Sequence, residues 1–290
     1  MTVELQPREA VDDAPDRELI DHLILELERL PAQPSVAMRA VWIADDPTSS
    51  AKDLAATLTA DPSLTARVLR LANSAYYGLS GRVANVGFAV TVIGFPTVRA
   101  MAAAEASGLF SEDGEVAPDG FWEHAVAVAT ACSMLAPRVG VRAPDGFSLG
   151  LLHDLGSALL FRCDPDGFNA SVEHARSAPG IVLADVEERT FGIGHDEAAA
   201  RVFGAWRFPE ELVEAVQVHH SDVGRGDPPM SRLLVAAEAV TARLPRAPIW
   251  ELRGHRDDGL DLLGITPIEA LAIAKQVKEE SAQLLLAFGS

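Results

Sequence analysis

Positive charge is scarce in this sequence. Its 290 residues hold 24 lysines and arginines against 42 aspartates and glutamates, a formal net charge of −18. A surface of that sign repels phosphate backbones and anionic lipid, so no direct binding of nucleic acid is expected. Cysteine is scarcer still, with Cys132 and Cys163 the two in the chain. They lack metal-ligand spacing and read as small core residues of a protein in a reducing cytoplasm. No apolar run reaches the ~18 residues of a membrane span, so no membrane partner is expected. Met1 to Pro15 is acidic and lacks a signal-peptide pattern. No repeat of fixed period appears, and no two long runs alternate with the period-2 pattern of strands.

What is present favours a helical globule. Hydrophobic residues make up 48% of the chain and charged residues 23%, enough apolar matter for a core. Leu19, Ile20, Leu23 and Leu27 share one face of a helix over 17–29. Ser50 with Asp53 resembles a capping box, and Asp61-Pro62 and Thr266-Pro267-Ile268-Glu269 are strong helix starts. These signals predict an all-α chain: an acidic disordered arm over 1–17, a front helical lobe over 18–110 and a polar hinge over 111–120. A second helical lobe over 121–244 follows, then a C-terminal extension over 245–290 that is irregular to Gly264 and ends in a helix. Pro144-Asp145-Gly146 reads as a turn, and Glu210 to His220 as a helix.

The stretch Gly150 to Gly156, GLLHDLG, sets His153 beside Asp154 inside an apolar run. Helix neighbours diverge by only ~100°, so both side chains could reach one ion. A nitrogen and an oxygen ligand among leucines are costly unless something pairs with them. His124, His195, His219 and His220 lie in helical-looking segments on either side. Imidazole and carboxylate suit Zn, Fe, Mn or Ni. Each residue also has an ordinary reading: a lone helical histidine as a surface or satisfied core group, and His219-His220 as a favourable pair at a helix C-terminus. Spacing alone leaves open a metal site, the remnant of one, or buried polar groups. Asn73 and Ser74, in a glycine-containing loop, read as local turn chemistry ahead of a signalling surface. Trp42, Trp122, Trp206 and Trp250 read as core anchors.

A wider pattern bears on the choice. It runs from Leu30-Pro31 through Asp61-Pro62-Ser63-Leu64, Leu71-Ala72-Asn73-Ser74 and Ile93-Gly94. It continues with Trp122 and His124, GLLHDLG, Glu188 with Gly192 and His195, Trp206 with Pro209, and His219-His220. Over about residues 25 to 240 this resembles the HDOD family. The resemblance implies a two-lobed HDOD/HD-like domain over 18–244, related to the HD phosphohydrolases and to the HD-GYP phosphodiesterases that cleave cyclic di-GMP at a multi-metal centre. It also implies a bacterial signalling module that acts through protein partners and does not catalyse. By position, His124 matches the first histidine of the superfamily, and His153 and Asp154 match its defining pair. His195, His219 and His220 match the later ligands of the HD-GYP branch, with Glu238 near the place of a final aspartate. The implied cofactor is a divalent metal ion: Fe, Mn, Zn or Ni.

The departures are equally specific. Ser157 stands where HD-GYP enzymes place a phosphate-binding lysine. Ser221-Asp222-Val223-Gly224 follows His220 in place of the GYP motif, and Gly120 replaces a carboxylate one turn before His124. The expectation is therefore a non-catalytic regulatory module with a retained metal site. The alternative is a metal-dependent phosphohydrolase acting on a nucleotide or phosphate ester, with Asp154 at its centre. A scaffold with purely structural histidines is the third reading. Hydrolysis of cyclic di-GMP is not expected.

Overall fold

The computed structural model describes residues 14–29, 35–111, 116–177, 181–244 and 258–288. Among them every regular element is helical, as the sequence signals require. The front helices are α1 (Ala14–Arg29), α2 (Val36–Asp45), α3 (Ala51–Leu58), α4 (Pro62–Ala72), α5 (Val86–Ile93) and α6 (Phe95–Ala106). Then come α7 (Phe121–Leu135), α8 (Ala143–Leu152), α9 (Leu155–Cys163), α10 (Pro165–Arg176) and α11 (Leu183–Phe191). The last are α12 (His195–Ala205), α13 (Glu210–Gln217), α14 (Pro229–Thr241), α15 (Asp258–Asp261) and α16 (Pro267–Leu284).

The local start signals work as written. Ser50 and Asp53 form a complete capping box on α3. Asp61 accepts the amide of Leu64 with Pro62 in the first turn of α4, and Thr266 accepts the amide of Glu269 on α16. Such caps satisfy amides that a helix end leaves open, at roughly 1 kcal/mol each. Asn73 does the work of a turn residue. Its amide nitrogen bonds the carbonyls of Leu69 and Val83, and its oxygen accepts the Val83 amide at 2.9 Å.

Helices α2 to α6 pack into one bundle, and α7, α8, α9, α12, α13 and α14 into a second, joined chiefly where α6 lies on α8. Arg99 on α6 reinforces the joint. Its guanidinium bonds Asp45 on α2 and sits 4.7 Å over the ring of Phe208, beyond α12. The helix that the sequence assigns to the front lobe, α1, packs instead on α9, α11 and α12. Ile20, Ile24 and Leu27 form its buried stripe, and Trp206 Nε1 donates to the Leu27 carbonyl at 2.8 Å. Full burial of two isoleucines stabilises that docking by roughly 1.5–3 kcal/mol each. Helix α16 closes the other side, against α7 and α14.

Several local expectations need correction. The arm expected through residue 17 is already helical from Ala14. Pro144, Asp145 and Gly146 are not a turn but the first turn of α8, since proline is well placed where no helical amide bond is required. Helix α13 stops at Gln217, leaving His219 and His220 beyond its end. Within the supposedly irregular stretch before Gly264, Asp258–Asp261 is a helical turn. Trp250, and residues 112–115 of the expected hinge, lie outside the described residues. Trp206 is a fully buried anchor, whereas Trp42 and Trp122 are partly buried.

Candidate metal centre

The HD pair does not sit inside a helix. His153 and Asp154 form the break between α8 and α9, where Asp154 turns to φ −97°, ψ 16°. The ψ value lies some 60° from the helical one, enough to redirect the chain. Two glycines let this corner enter the core. A Cβ on Gly150 would lie 2.7 Å from the backbone of Ala129 on α7. On Gly156 it would lie 1.8 Å from the carbonyl oxygen of His195, so the start of α9 rests on the start of α12.

Four elements deliver the other side chains. His124 comes from the first turn of α7, His195 opens α12, His219 and His220 follow α13, and Glu238 lies in α14. All are buried except His220, which is half-buried. The residues singled out from the sequence therefore meet. Asp154 stands in the middle with its two oxygens turned to different neighbours. Oδ2 is 3.1 Å from His124 Nε2 and 3.3 Å from His153 Nε2, whereas Oδ1 is 3.9 Å from His195 Nε2 and 3.7 Å from His219 Nε2. Two groups result: His124, His153 and Asp154, and Asp154 with His195, His219 and His220. Within each, one potential ligand atom per residue lies within 4.8 Å of the others. Glu238 Oε1 approaches His153 Nε2 at 3.7 Å on the first side.

The imidazoles are held from behind. The Nδ1–H of His153 donates to the Gly150 carbonyl at 2.8 Å, and that of His219 to the Val216 carbonyl at 2.5 Å. A carbonyl can only accept, so both tautomers are fixed and both Nε2 atoms face inward. His219 Nε2 is buried with no hydrogen-bond partner among the described residues. His195 Nε2 and His220 Nε2 face each other at 2.9 Å, as do those of His124 and His153 at 3.2 Å. Ring nitrogens of several histidines converging on a buried carboxylate make a donor set that fits a divalent cation once they are deprotonated.

Electrostatics follow the same plan. Burial opposes ionisation of Asp154, but the neighbouring His153 and the hydrogen bond from His124 outweigh it and hold the carboxyl well below the usual range. Burial lowers His153, with Asp154 only partly offsetting it. For His195, burial is outweighed by the charge and hydrogen bond of Glu187, with Asp154 and Asp196 adding to them, and its pKa is pushed up to about 10.

One residue was missed. The sequence pattern pointed to Glu188, which is exposed; the carboxylate that reaches the centre is the fully buried Glu187. The signal was available. Leu183, Val186 and Phe191 define the buried face of α11, and position 187 falls on it while 188 does not.

Comparison with known proteins agrees with this architecture. The HDOD domain model matches residues 30–222. An uncharacterized protein of Treponema pallidum (strain Nichols) is 23% identical over 199 residues, covering 67% of this chain and 38% of its own length. The chain thus spans well under half of that relative. Among solved structures, a candidate phosphohydrolase from Shewanella amazonensis SB2B superposes with a TM-score of 0.69 at 25% identity, covering 95% of this chain and all of that one. A candidate signal transduction protein from Marinobacter aquaeolei VT8 superposes with a TM-score of 0.71 at 24% identity, over 99% of this chain and 67% of its own. With the domain matched over more than half its length, and the helical framework shared with solved relatives, the chain belongs to the HDOD family.

Proposed function

We propose that this chain is a regulatory HDOD module that holds two divalent metal ions in its second bundle and acts through partner proteins without turning over a substrate. The observation that carries the metal reading is the division of the Asp154 carboxylate, with Oδ2 toward His124 and His153 and Oδ1 toward His195 and His219. One ion would be held by His124, His153 and Asp154 with Glu238 at hand, the other by Asp154, His195, His219 and His220. Bound there, divalent ions supply Lewis acidity and lower the pKa of water. The chain's own residues provide little beyond the cage. His124, His153, Asp154, His195, His219 and Glu238 are all 5% exposed or less, which leaves little room for a phosphate ester. Phosphoryl transfer also asks for cationic groups on the phosphate oxygens. Ser157 occupies the place where the related enzymes carry a lysine, on a chain of net charge −18.

The second reading is a metal-dependent phosphohydrolase, favoured by the shared Asp154 carboxylate and by the 25% identity to the candidate phosphohydrolase of Shewanella amazonensis SB2B. One experiment separates them. Purified protein is assayed for bound metal, then for turnover of nucleotides, a simple aryl phosphate and cyclic di-GMP with added Mn²⁺ or Fe²⁺. Two equivalents of metal without steady product release support the regulatory module. Turnover abolished by Asp154→Ala replaces it with the enzyme, and protein that takes up no ion under any condition removes the metal centre altogether.

A further inference from the structure

The geometry points to Glu187 as a positioning residue that clamps His195, so that its Nε2 faces the group formed with Asp154, His219 and His220. The inference rests on the metal centre proposed above and extends it to a carboxylate outside the ligand cage.

Glu187 is fully buried on α11, between Val186 and Phe191 on the same apolar face. An isolated carboxylate there is costly, so its partner defines its purpose. Oε2 accepts two hydrogen bonds from one residue: the backbone N–H of His195 at 3.0 Å and its ring Nδ1–H at 2.5 Å. The first bond has a structural use. Helix α12 begins after Gly194, which offers no side-chain cap, and Glu187 supplies an anion at its N-terminus from a neighbouring helix. The second bond does something a cap does not need. It fixes the ring's tautomer and rotation together, and so decides where Nε2 points.

The other buried rings show the contrast. His153 and His219 are anchored through Nδ1 by carbonyls of their own chain segments, three residues back. His195 opens its helix, so no preceding helical carbonyl is available, and the anchor comes from α11. Because that anchor is an anion, it also makes the imidazole a stronger donor to a cation than a carbonyl would.

The test uses Glu187→Gln, which keeps the shape and one acceptor oxygen but not the charge, and Glu187→Ala, which removes both. Full-length proteins are titrated with Co²⁺ by absorption, which reports the ligand set, and with Mn²⁺ by calorimetry. A purely structural cap lowers the melting temperature and leaves metal affinity of the folded protein unchanged. A positioning role weakens one of the two bound equivalents by roughly 10–100-fold, more in Ala than in Gln, alters its Co²⁺ bands and leaves the equivalent held by His124 and His153 within about threefold. Two equivalents bound with wild-type affinity and spectrum by a folded Glu187→Gln overturn the inference. A readout without metal separates this failure from failure of the centre itself. In metal-free wild type the His195 Nδ1 proton should resonate far downfield and vanish in Glu187→Ala. Its absence from wild type removes the clamp, whatever the metal does. Its presence in a wild type that binds no ion leaves the clamp standing and removes the metal reading.

Discussion

The two bundles bury very different things. In α2 to α6 the interior is hydrocarbon apart from Thr97, and among the described residues Arg99 is the one buried ionisable side chain there. From α7 to α14 the interior contains His124, His153, Asp154, Glu187, His195, His219 and Glu238. Apolar packing of the first kind is non-directional and stabilises in proportion to area. Packing of the second kind costs stability unless each group finds a partner, because buried polar and charged atoms lose water. The front bundle therefore owes its stability chiefly to buried apolar area. In the proposed reading, the second ties its stability to whatever its converging donors bind.

Asp154→Ala breaks that contrast most severely. It removes the group shared by both donor sets and leaves the surrounding imidazoles without their anion. Metal content should fall from two equivalents to none. The metal-free protein should lose roughly 1–3 kcal/mol as well, for stranded buried polar groups. Denaturant melts with and without metal, beside a metal assay, check both parts. An Asp154→Ala protein that melts like wild type in every condition would mean that the second bundle is not organised around this residue.

Next in size comes metal removal. An ion bound at a hundred times its Kd stabilises the fold by about 2.7 kcal/mol. A chelator should therefore lower the Tm of wild type by several degrees and leave that of Asp154→Ala where it is. Equal response, or none, in both proteins would place the stability of the second bundle in packing alone.

A smaller effect is expected in the front. Arg99 is 5% exposed, its Nε has no hydrogen-bond partner among the described residues, and its partner Asp45 keeps solvent. Replacing a buried ion by an apolar side chain of similar volume is often neutral or stabilising. Arg99→Met should stay within about 1 kcal/mol of wild type and keep the full chelator response, because the partners of Arg99, Asp45 and Phe208, are not among the donors. A variant that loses metal would show that the α6–α8 joint passes strain to the HD corner.

Different parts of this arrangement were legible in the sequence to different degrees. Helix starts were, because a cap is local: Ser50 with Asp53, Asp61 with Pro62 and Thr266 with Pro267 act within one turn of themselves. The break at Asp154 was not. A change in one ψ angle leaves the run of leucines unaltered, and the close approach beside it, of Gly156 to His195, joins positions far apart in the chain. The end of α13 at Gln217 was hidden for a similar reason, since Val218 continues the apolar pattern and no glycine marks the stop. Family resemblance supplied the donor residues, but their distances depend on how the ends of separate helices pack, which spacing does not encode. Glu187 was readable from the periodicity of α11 and was passed over for its neighbour.

The smallest expected effect tests whether histidines matter here by type or by place. His22 lies on α1, 73% exposed, with its Nε2 3.2 Å from Glu26, itself 62% exposed. Such an i,i+4 pair at the surface contributes a few tenths of a kcal/mol at most and is screened by salt. The docking of α1 rests on Ile20, Ile24 and Leu27, which face away from this pair. His22→Ala should therefore change stability by no more than about 0.5 kcal/mol, keep both metal equivalents and keep the chelator response of wild type. The comparison is sharp because the substitution is chemically the same as His153→Ala, made on a helix that packs on α9 and α12 themselves. A His22→Ala protein that lost metal would show that α1 governs the centre it covers, and that the division between the two bundles is drawn in the wrong place.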